Sequence, residues 1–213
     1  NLIFKIDGLN HLLPGTPIAF VDKLKQNGNL ISAQLDNVLS AAIILYLYQH
    51  GFAGTAFFTA QEEAGKSWRF VHEWFKKNKI STDKLVVLDT SPYETREEAD
   101  KQLVVLRNKD VNAKFKSPLL KELKQFCKKN KISFSCKDKF IIEKNKLREK
   151  EGLKPISIGS TELGRIVMES NGQIQGSTLQ IPTTGYHTVD ETASVESIKA
   201  IIFILSSFYI KNF

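Results

Sequence analysis

Short apolar runs of β-forming residues alternate with helix-like stretches along most of this chain, and this alternation constrains the fold more than any other feature. Helical periodicity predicts helices within residues 35–51, 67–79, 118–129, 161–172 and 195–209. Apolar β-forming runs predict strands over residues 54–60, 84–89, 102–107, 132–136 and 177–182. The first helix is apolar on most sides, so we expect it to be largely buried. The pattern predicts an α/β domain with a mixed, mostly parallel central sheet and helices on both faces.

Two segments depart from this alternation. Residues 1–34, with "LLPGTPIAF" and "NGNL", are typical of short β pieces joined by turns, and residues 137–158 are charged and weakly patterned. With 213 residues, of which 42% are hydrophobic, the chain is long enough for one domain with a sizeable core. It begins at Asn1 and its one methionine is Met168, so we expect the natural start to lie upstream.

The net charge of +7 comes mostly from lysine, in runs such as "KKNK" at residues 76–79 and 128–131. Nucleic-acid sites favour arginine with interleaved aromatic residues, whereas lysines on amphipathic helices usually form a solvated face. The apolar stretches 41–48 and 198–208 are shorter than the roughly 20 residues that a membrane-spanning helix needs. We therefore expect neither a nucleic-acid partner nor a membrane partner.

The cysteines bear on the compartment. Cys127 and Cys136 have neither a metal-binding nor a redox spacing, and no secretory leader opens the sequence. These features fit a reducing environment, so we expect a cytoplasmic protein.

Acidic residues and a histidine stand at the ends of the predicted strands. Glu62 and Glu63 follow the first strand, Asp89 ends the second, His187 follows the last, and Asp36 precedes the first helix. In open α/β sheets, ligands and catalytic groups gather at the carboxyl ends of the strands. We therefore expect these side chains to converge.

The chemistry of this set points to metal. Carboxylates and imidazole suit zinc, manganese or cobalt, and a carboxylate can bridge two ions. One of the two adjacent glutamates, Glu63, would then bind metal. Its neighbour Glu62 would take a proton from a water whose pKa the metals lower, and would pass that proton to a leaving amine.

Each of these residues also has a purely structural interpretation. Asp36 could cap the helix that follows it, and Asp89 could be a turn residue. His187 could bond a backbone carbonyl in its loop, and the two adjacent glutamates could form a solvated turn. Their joint placement at strand ends favours the functional interpretation.

Four motifs carry a family resemblance. The segments "LDN" (35–37), "FFTAQEEAG" (57–65), "LVVLD" (85–89) and "IPTTGYHT" (181–188) resemble, in order and approximate spacing, the dinuclear-zinc aminopeptidases of the tetrahedral and glutamyl aminopeptidase family. The resemblance spans about residues 12–210. It implies a zinc-exopeptidase-like fold, which is a phosphorylase/hydrolase-like α/β/α sandwich. It also implies a metal-dependent aminopeptidase that hydrolyses N-terminal residues of peptides.

The resemblance assigns roles to individual residues. Asp36 would bridge two metals, Glu62 would be the general base, and the further metal ligands would be Glu63, Asp89 and His187. Glu162 and Tyr186 are expected as neighbours of the site. For Glu162, the alternative is a place in the first turn of a helix capped by Ser160 or Thr161.

One family feature is missing. Relatives carry a further ligating histidine, followed two residues later by an aspartate, and neither His11, His50 nor His72 stands in that position. We expect two divalent metals in the full protein, zinc first with cobalt or manganese as alternatives, but at most one tightly bound ion and little activity in this chain. The alternative is a catalytically silent homologue that binds peptides or protein partners.

The resemblance also suggests a domain division. Residues 1–33 would be a remnant of a small β domain that the family inserts, and residues 34–213 would be the catalytic domain without its N-terminal part. Cage assemblies in the family rely on parts of the inserted domain that this sequence lacks. We therefore expect a monomer or homodimer rather than a large cage.

Overall fold

The structure is a computed structural model that describes residues 24–210. Its strands are β1 (Lys25–Asn27), β2 (Leu30–Ala33), β3 (Thr82–Pro92), β4 (Val104–Leu106), β5 (Phe134–Cys136), β6 (Ile174–Thr184) and β7 (Glu191–Ser194). Its helices are α1 (Val38–Gln49), α2 (Trp68–Asn78), α3 (Arg96–Asp100), α4 (Pro118–Lys129), α5 (Lys137–Lys150), α6 (Glu162–Glu169) and α7 (Val195–Tyr209). The helices α4 and α7 have their predicted bounds, because Ser117 and Ser194 accept hydrogen bonds from their first turns.

The described strands form one mixed sheet in the order β1-β2-β7-β6-β4-β5, with β3 paired to β6. The pairs β3–β6 and β4–β5 are parallel, and the other described pairs are antiparallel. This mixed sheet with its helices confirms the predicted α/β class. In the β3–β6 register Asp89 lies beside Gln180 and Pro92 beside Thr183, so the carboxyl ends of these two strands lie together.

Helices cover both faces of the sheet, as the residues of β4 demonstrate. Successive side chains of a strand point to opposite faces. Val104 and Leu106 pack in the main core with residues of α4 and α7. Val105 packs on the other side with Ala99 of α3, next to Phe140 of α5.

The parallel pair β3–β6 has one point of very close approach. A Cβ atom at Gly176 would lie 1.9 Å from the carbonyl oxygen of its register partner Leu85. Only glycine therefore fits opposite Leu85 unless the β3 backbone moves.

The prediction of a strand over 54–60 is wrong for the described chain. These residues pair with no strand within residues 24–210. Phe57 still packs on Trp74 of α2, with ring centroids 5.1 Å apart, whereas Phe58 is 56% exposed. A strand needs a neighbouring strand for its backbone hydrogen bonds, and β-forming residues alone do not determine whether such a neighbour is present.

The sequence predicts no regular element over 137–158, where the structure contains α5. Charged residues surround this helix, so its few apolar side chains do not form a continuous stripe. It packs through Ile141, and Lys137 and Asp138 are buried in its first turn. The short elements α3 and β7 also lie outside the predicted helices and strands.

The expectation that α1 is largely buried is wrong within the described residues. Its buried residues are Ser40, Ile43 and Leu47, while Val38 is 65% and Leu45 is 56% exposed. The helix is apolar all round, but among the described elements it packs mainly against α7 and β3, which contact only part of its surface.

The N-terminal segment is described only from residue 24, and residues 1–23 lie outside the described part of the chain. The hairpin β1–β2 joins the main sheet because β2 pairs with β7. A domain boundary at residue 33 stays a prediction. Within residues 24–210, the helices are too short or too polar to cross a bilayer.

Candidate metal and catalytic site

Three of the predicted ligands come together at the ends of β3 and β6. The ligand atoms of Asp36, Glu63 and His187 all lie within 4.8 Å of one another. His187 Nε2 lies 2.9 Å from Glu63 Oε1 and 3.6 Å from Asp36 Oδ2. Asp36 is the most enclosed member, with 12% of its side chain exposed.

The backbone of Asp36 is held from the far end of the sequence. Its amide donates a 2.9 Å hydrogen bond to Oε2 of Glu191, a residue that is 1% exposed. The N-cap position of α1 belongs to Asn37, which donates instead to the Leu88 carbonyl at 2.9 Å. Asp36 therefore does not cap α1, and its carboxylate is directed to the site.

His187 is presented by a tight loop after β6. The residue has a φ of 59°, in the left-handed region, and follows Gly185 with a φ of 72°. Its ring stacks on that of Tyr186, with centroids 3.7 Å apart, and burial together with the charge of Asp36 raises the pKa of Tyr186. The contacts of His187 Nε2 are carboxylates, so the loop interpretation with a backbone carbonyl does not describe it.

Asp89 lies beside Asp36 but is not one of the three residues Asp36, Glu63 and His187, which together form the metal triad. It accepts a hydrogen bond from the Thr90 amide at 2.8 Å and another from Gln180 at 3.5 Å. Its carboxyl group also lies close enough to Asp36 for the two negative charges to interact. The buried guanidinium of Arg107 holds Gln180 in turn, through a 3.0 Å bond from Nε to Oε1.

Glu62 lies in the adjacent turn and is exposed. Its carbonyl accepts a 2.6 Å hydrogen bond from the Gly65 amide, which closes the turn. Burial, together with the negative charges of Glu162 and Glu63, raises the pKa of Glu62.

The carboxylates of the site repel one another. Burial, followed by the charge of Glu63, raises the pKa of Asp36. Burial, followed by the charge of Asp36, raises the pKa of Asp89. A divalent cation would reverse these effects, and two carboxylates with one imidazole form a donor set that such ions prefer. The residues present therefore fit one metal ion.

Glu162 lies at the start of α6, and Thr161 caps that helix by accepting from the Gly164 amide. The Glu162 carboxylate receives a 3.5 Å contact from the Thr59 hydroxyl and is not part of the metal triad. It lines a cavity of about 320 Å³ that also contacts Glu62 and Tyr186.

Sequence reasoning missed two supporting residues, Glu191 and Arg107. Glu191 stands in a segment without a strand signal, and Arg107 ends a strand in which its charge gave no hint of burial. The only available sign was that both are charged residues next to β-forming residues.

The profile of the M42 glutamyl aminopeptidase family matches residues 10–145, well over half of the sequence. The chain belongs to the M42 glutamyl aminopeptidase family. The resemblance inferred from the four motifs is thereby confirmed. A search of curated protein sequences found no match to this M42 chain.

Solved structures share the fold of the M42 chain. An aminopeptidase from the archaeon Desulfurococcus kamchatkensis superposes with a TM-score of 0.64 at 16% identity, over 89% of this chain and 52% of that one. A TET aminopeptidase from a marine sediment archaeon of the Thaumarchaeota gives 0.63 at 16% identity, over 90% and 51%. The TET1 peptidase of Pyrococcus horikoshii gives 0.59 at 17% identity, over 90% and 54%. These matches confirm the predicted fold, and the M42 chain spans about half the length of each structure.

The expectation of a monomer or homodimer without a large cage is wrong. The Pyrococcus horikoshii TET1 peptidase can assemble into a tetrahedron or a large octahedral shell, and another matching structure is a dodecamer. The expectation rested on segments that this sequence lacks. A chain that spans half of its relatives gives no basis for excluding the assemblies that whole relatives form.

Proposed function

We propose that this M42 chain is part of a metal-dependent aminopeptidase that removes N-terminal residues from peptides in the cytoplasm. The observation that carries the proposal is the approach of Asp36, Glu63 and His187 to within 4.8 Å of one another, beside Glu62 and a cavity. Membership of a peptidase family supports the same chemistry.

Asp36, Glu63 and His187 would hold one divalent ion, with zinc the first expectation and cobalt or manganese the alternatives. Asp89, whose charge interacts with that of Asp36, would serve a second ion, with Asp36 shared between the two. When bound, the metal supplies Lewis acidity toward water and the scissile carbonyl.

Glu62 would act as the general base. Its raised pKa makes its carboxylate a better proton acceptor for water than an ordinary glutamate. As the water oxygen bonds to the carbonyl carbon, Glu62 takes one proton. It then delivers that proton to the nitrogen of the leaving amine as the C–N bond breaks.

The ligand count limits what residues 1–213 would do alone. One ion would have Asp36, Glu63 and His187, whereas the other would have only Asp36 and Asp89. A zinc site commonly uses three protein ligands, so the second site would be weak. We expect at most one tightly bound ion and little peptidase activity.

The decisive variant for the base is Glu62→Gln in the full-length protein. We expect its metal content to stay unchanged while turnover on aminoacyl substrates falls about 10²-fold or more. The matched control is Glu97→Gln, because the Glu97 side chain is 86% exposed and its ion-pair partner is Lys101. Normal turnover in Glu62→Gln would remove Glu62 from the mechanism.

Metal content tests the ligands independently of activity. Asp36→Asn should lower the affinity of the protein for both ions together, because a neutral amide cannot offset two divalent charges. Loss of one ion with the other untouched would contradict bridging. For residues 1–213, elemental analysis after dialysis should find no more than one zinc per chain, and two zinc ions with full activity would contradict the ligand count.

The second candidate function is a catalytically silent homologue that binds peptides or partners. The observation that favours it is that the described residues offer a single three-residue metal cluster. Peptide binding without turnover in the full-length, metal-loaded protein would establish this function instead.

A further inference from the structure

We propose that Glu191 is a positioning residue for the metal triad. Its buried side chain fixes Asp36 relative to His187 and thereby sets the spacing of two of the proposed metal ligands. What matters for this role is the placement of one acceptor oxygen, not the negative charge of the carboxylate. The role rests on the proposed metal-dependent function and adds to it a residue that acts through Asp36 rather than on the metal itself.

Asp36 and His187 come from separate segments of the chain. Asp36 lies in the connection between β2 and α1, and His187 lies in the loop between β6 and β7. The ladder of β2 and β7 ends at the pair Ala33–Glu191, so the backbone pairing reaches neither ligand. A zinc ion binds oxygen and nitrogen ligands at about 2.0–2.2 Å, so the two segments must be fixed relative to one another.

Glu191 links the two segments. Its Oε2 accepts the 2.9 Å hydrogen bond from the Asp36 amide. Its own amide donates to the Thr188 carbonyl at 3.3 Å, and the Thr188 amide donates to the Gly185 carbonyl at 3.2 Å. These two bonds fold the loop that presents His187. The residue that closes this loop is therefore also the residue that holds Asp36.

A fixed backbone at Asp36 orients its carboxylate, because the backbone determines the direction of the Cα–Cβ bond. The neighbouring residue adds a second anchor, since the Asn37 side chain donates to the Leu88 carbonyl at 2.9 Å. Residues 36–37 are thus held from β7 on one side and from β3 on the other. Loss of the Glu191 anchor should therefore lower metal affinity without abolishing it.

The second oxygen of Glu191 argues against a role in stability alone. Glu191 is 1% exposed, and its Oε1 has no hydrogen-bond partner in the part of the chain that the structure describes. A buried carboxylate with an unsatisfied oxygen lowers the free energy of unfolding. An apolar side chain of similar volume would avoid that cost, so the acceptor that glutamate offers to Asp36 explains this residue better.

The test measures the zinc affinity of the full-length protein by competition with a fluorescent chelator. Glu191→Gln keeps an acceptor oxygen in place and removes the charge. Glu191→Asp keeps the charge and withdraws the acceptor by one methylene group, and Glu191→Met removes both. We expect Glu191→Gln to bind zinc nearly as tightly as the unaltered protein. Glu191→Asp and Glu191→Met should bind zinc about 10- to 100-fold less tightly, the loss typical of residues that orient metal ligands.

Asp138 of α5 provides the matched control. It is another buried carboxylate that accepts a backbone amide, from Asn108 at 2.9 Å. Zinc that binds only the folded protein raises the free energy of unfolding, and this rise reports zinc affinity separately from any general loss of stability. The rise, measured by urea unfolding with and without zinc, should shrink in Glu191→Met. Asp138→Ala should lose stability equally in both conditions and keep its zinc affinity.

Equal zinc affinity in all three Glu191 variants would overturn the positioning role. Weaker binding by Glu191→Gln than by Glu191→Asp would also overturn it, because the charge rather than the position of the acceptor would then matter. This second comparison decides by itself if Glu191→Met does not fold.

The positioning role and the proposed function can fail separately. If the unaltered protein binds zinc but hydrolyses no peptide, the aminopeptidase function fails, and the ordered loss of zinc affinity in the Glu191 variants still supports the positioning role. Hydrolysis by a protein whose zinc affinity does not depend on Glu191 has the opposite meaning. An unaltered full-length protein that binds no zinc would overturn both.

Discussion

Lys137 is a buried amine whose removal should change how the stability of the chain depends on pH. It is 6% exposed, its Nζ donates to the Pro92 carbonyl, and Nζ lies 3.6 Å from the centre of the Tyr93 ring and 5.3 Å from that of Phe140. Burial, reinforced by the positive charge of Arg107, lowers the pKa of Lys137 from 10.5 to about 7. The variant Lys137→Met keeps most of the side-chain volume and removes the amine.

The direction of the effect follows from proton binding. Between pH 7 and 10.5 the unfolded chain keeps the Lys137 proton while the folded chain has lost it, so the free energy of unfolding rises with pH. A shift of one pKa unit corresponds to about 1.4 kcal/mol. The lowered pKa of Lys137 therefore reduces the free energy of unfolding by about 5 kcal/mol at a pH where the amine is charged in both the folded and the unfolded chain. Between pH 6 and pH 8.5, the loss of the Lys137 proton raises the free energy of unfolding by about 2 kcal/mol.

The assay is urea unfolding at pH 6 and pH 8.5. We expect the unaltered chain to gain about 2 kcal/mol more than Lys137→Met over this interval. Lys139→Met, at an exposed position of the same helix, should behave like the unaltered chain. The interval ends at pH 8.5 to avoid the titration of Cys127. Burial raises the pKa of Cys127 to about 11, so the free energy of unfolding falls as pH rises through the titration of the thiol in the unfolded chain. The same pH dependence in Lys137→Met as in the unaltered chain would refute the reasoning.

Two further predictions concern packing and thiol reactivity. Gly176→Ala should lower the free energy of unfolding by about 2–3 kcal/mol, because the new Cβ atom meets the Leu85 backbone. In Gly172→Ala the Cβ atom meets only the end of a side chain, so the positive φ alone should cost about 1 kcal/mol. Equal losses of the two variants in urea unfolding would contradict this. Iodoacetamide at pH 8 should label the partly exposed Cys136 and leave Cys127 unlabelled. Cys127 is fully buried, and burial raises its pKa to about 11. Rapid labelling of Cys127 in the native chain, measured by mass spectrometry, would contradict this prediction.

Elements with strong periodicity and clear ends were predictable from the sequence. The helices α4 and α7 each follow a serine that caps the first turn, and each directs apolar residues to the core. The segment 54–60 shows the limit of such reasoning, because strand composition does not specify a partner. The helix α5 shows another limit, because its charged residues conceal the helical period.

The candidate site was predictable to a similar degree. The positions of Asp36, Glu63 and His187 at the ends of predicted elements anticipated their convergence, which the structure contains. Their roles as ligands, and that of Glu62 as base, stay predictions. Glu191 could not be found in this way, because its burial depends on the pairing of β7 with β2, and one sequence does not reveal which strands pair.

The spacing of the triad also determines when it can form. His187 and Glu63 are 124 positions apart, and Asp36 is anchored by a residue 155 positions further along the chain. During synthesis from the amino terminus, at about 5–20 residues per second, the first two candidate ligands would leave the ribosome many seconds before the third. A nascent chain therefore has no complete triad until six of the seven described strands have been made, and metal binding would follow the formation of most of the described sheet rather than assist its beginning.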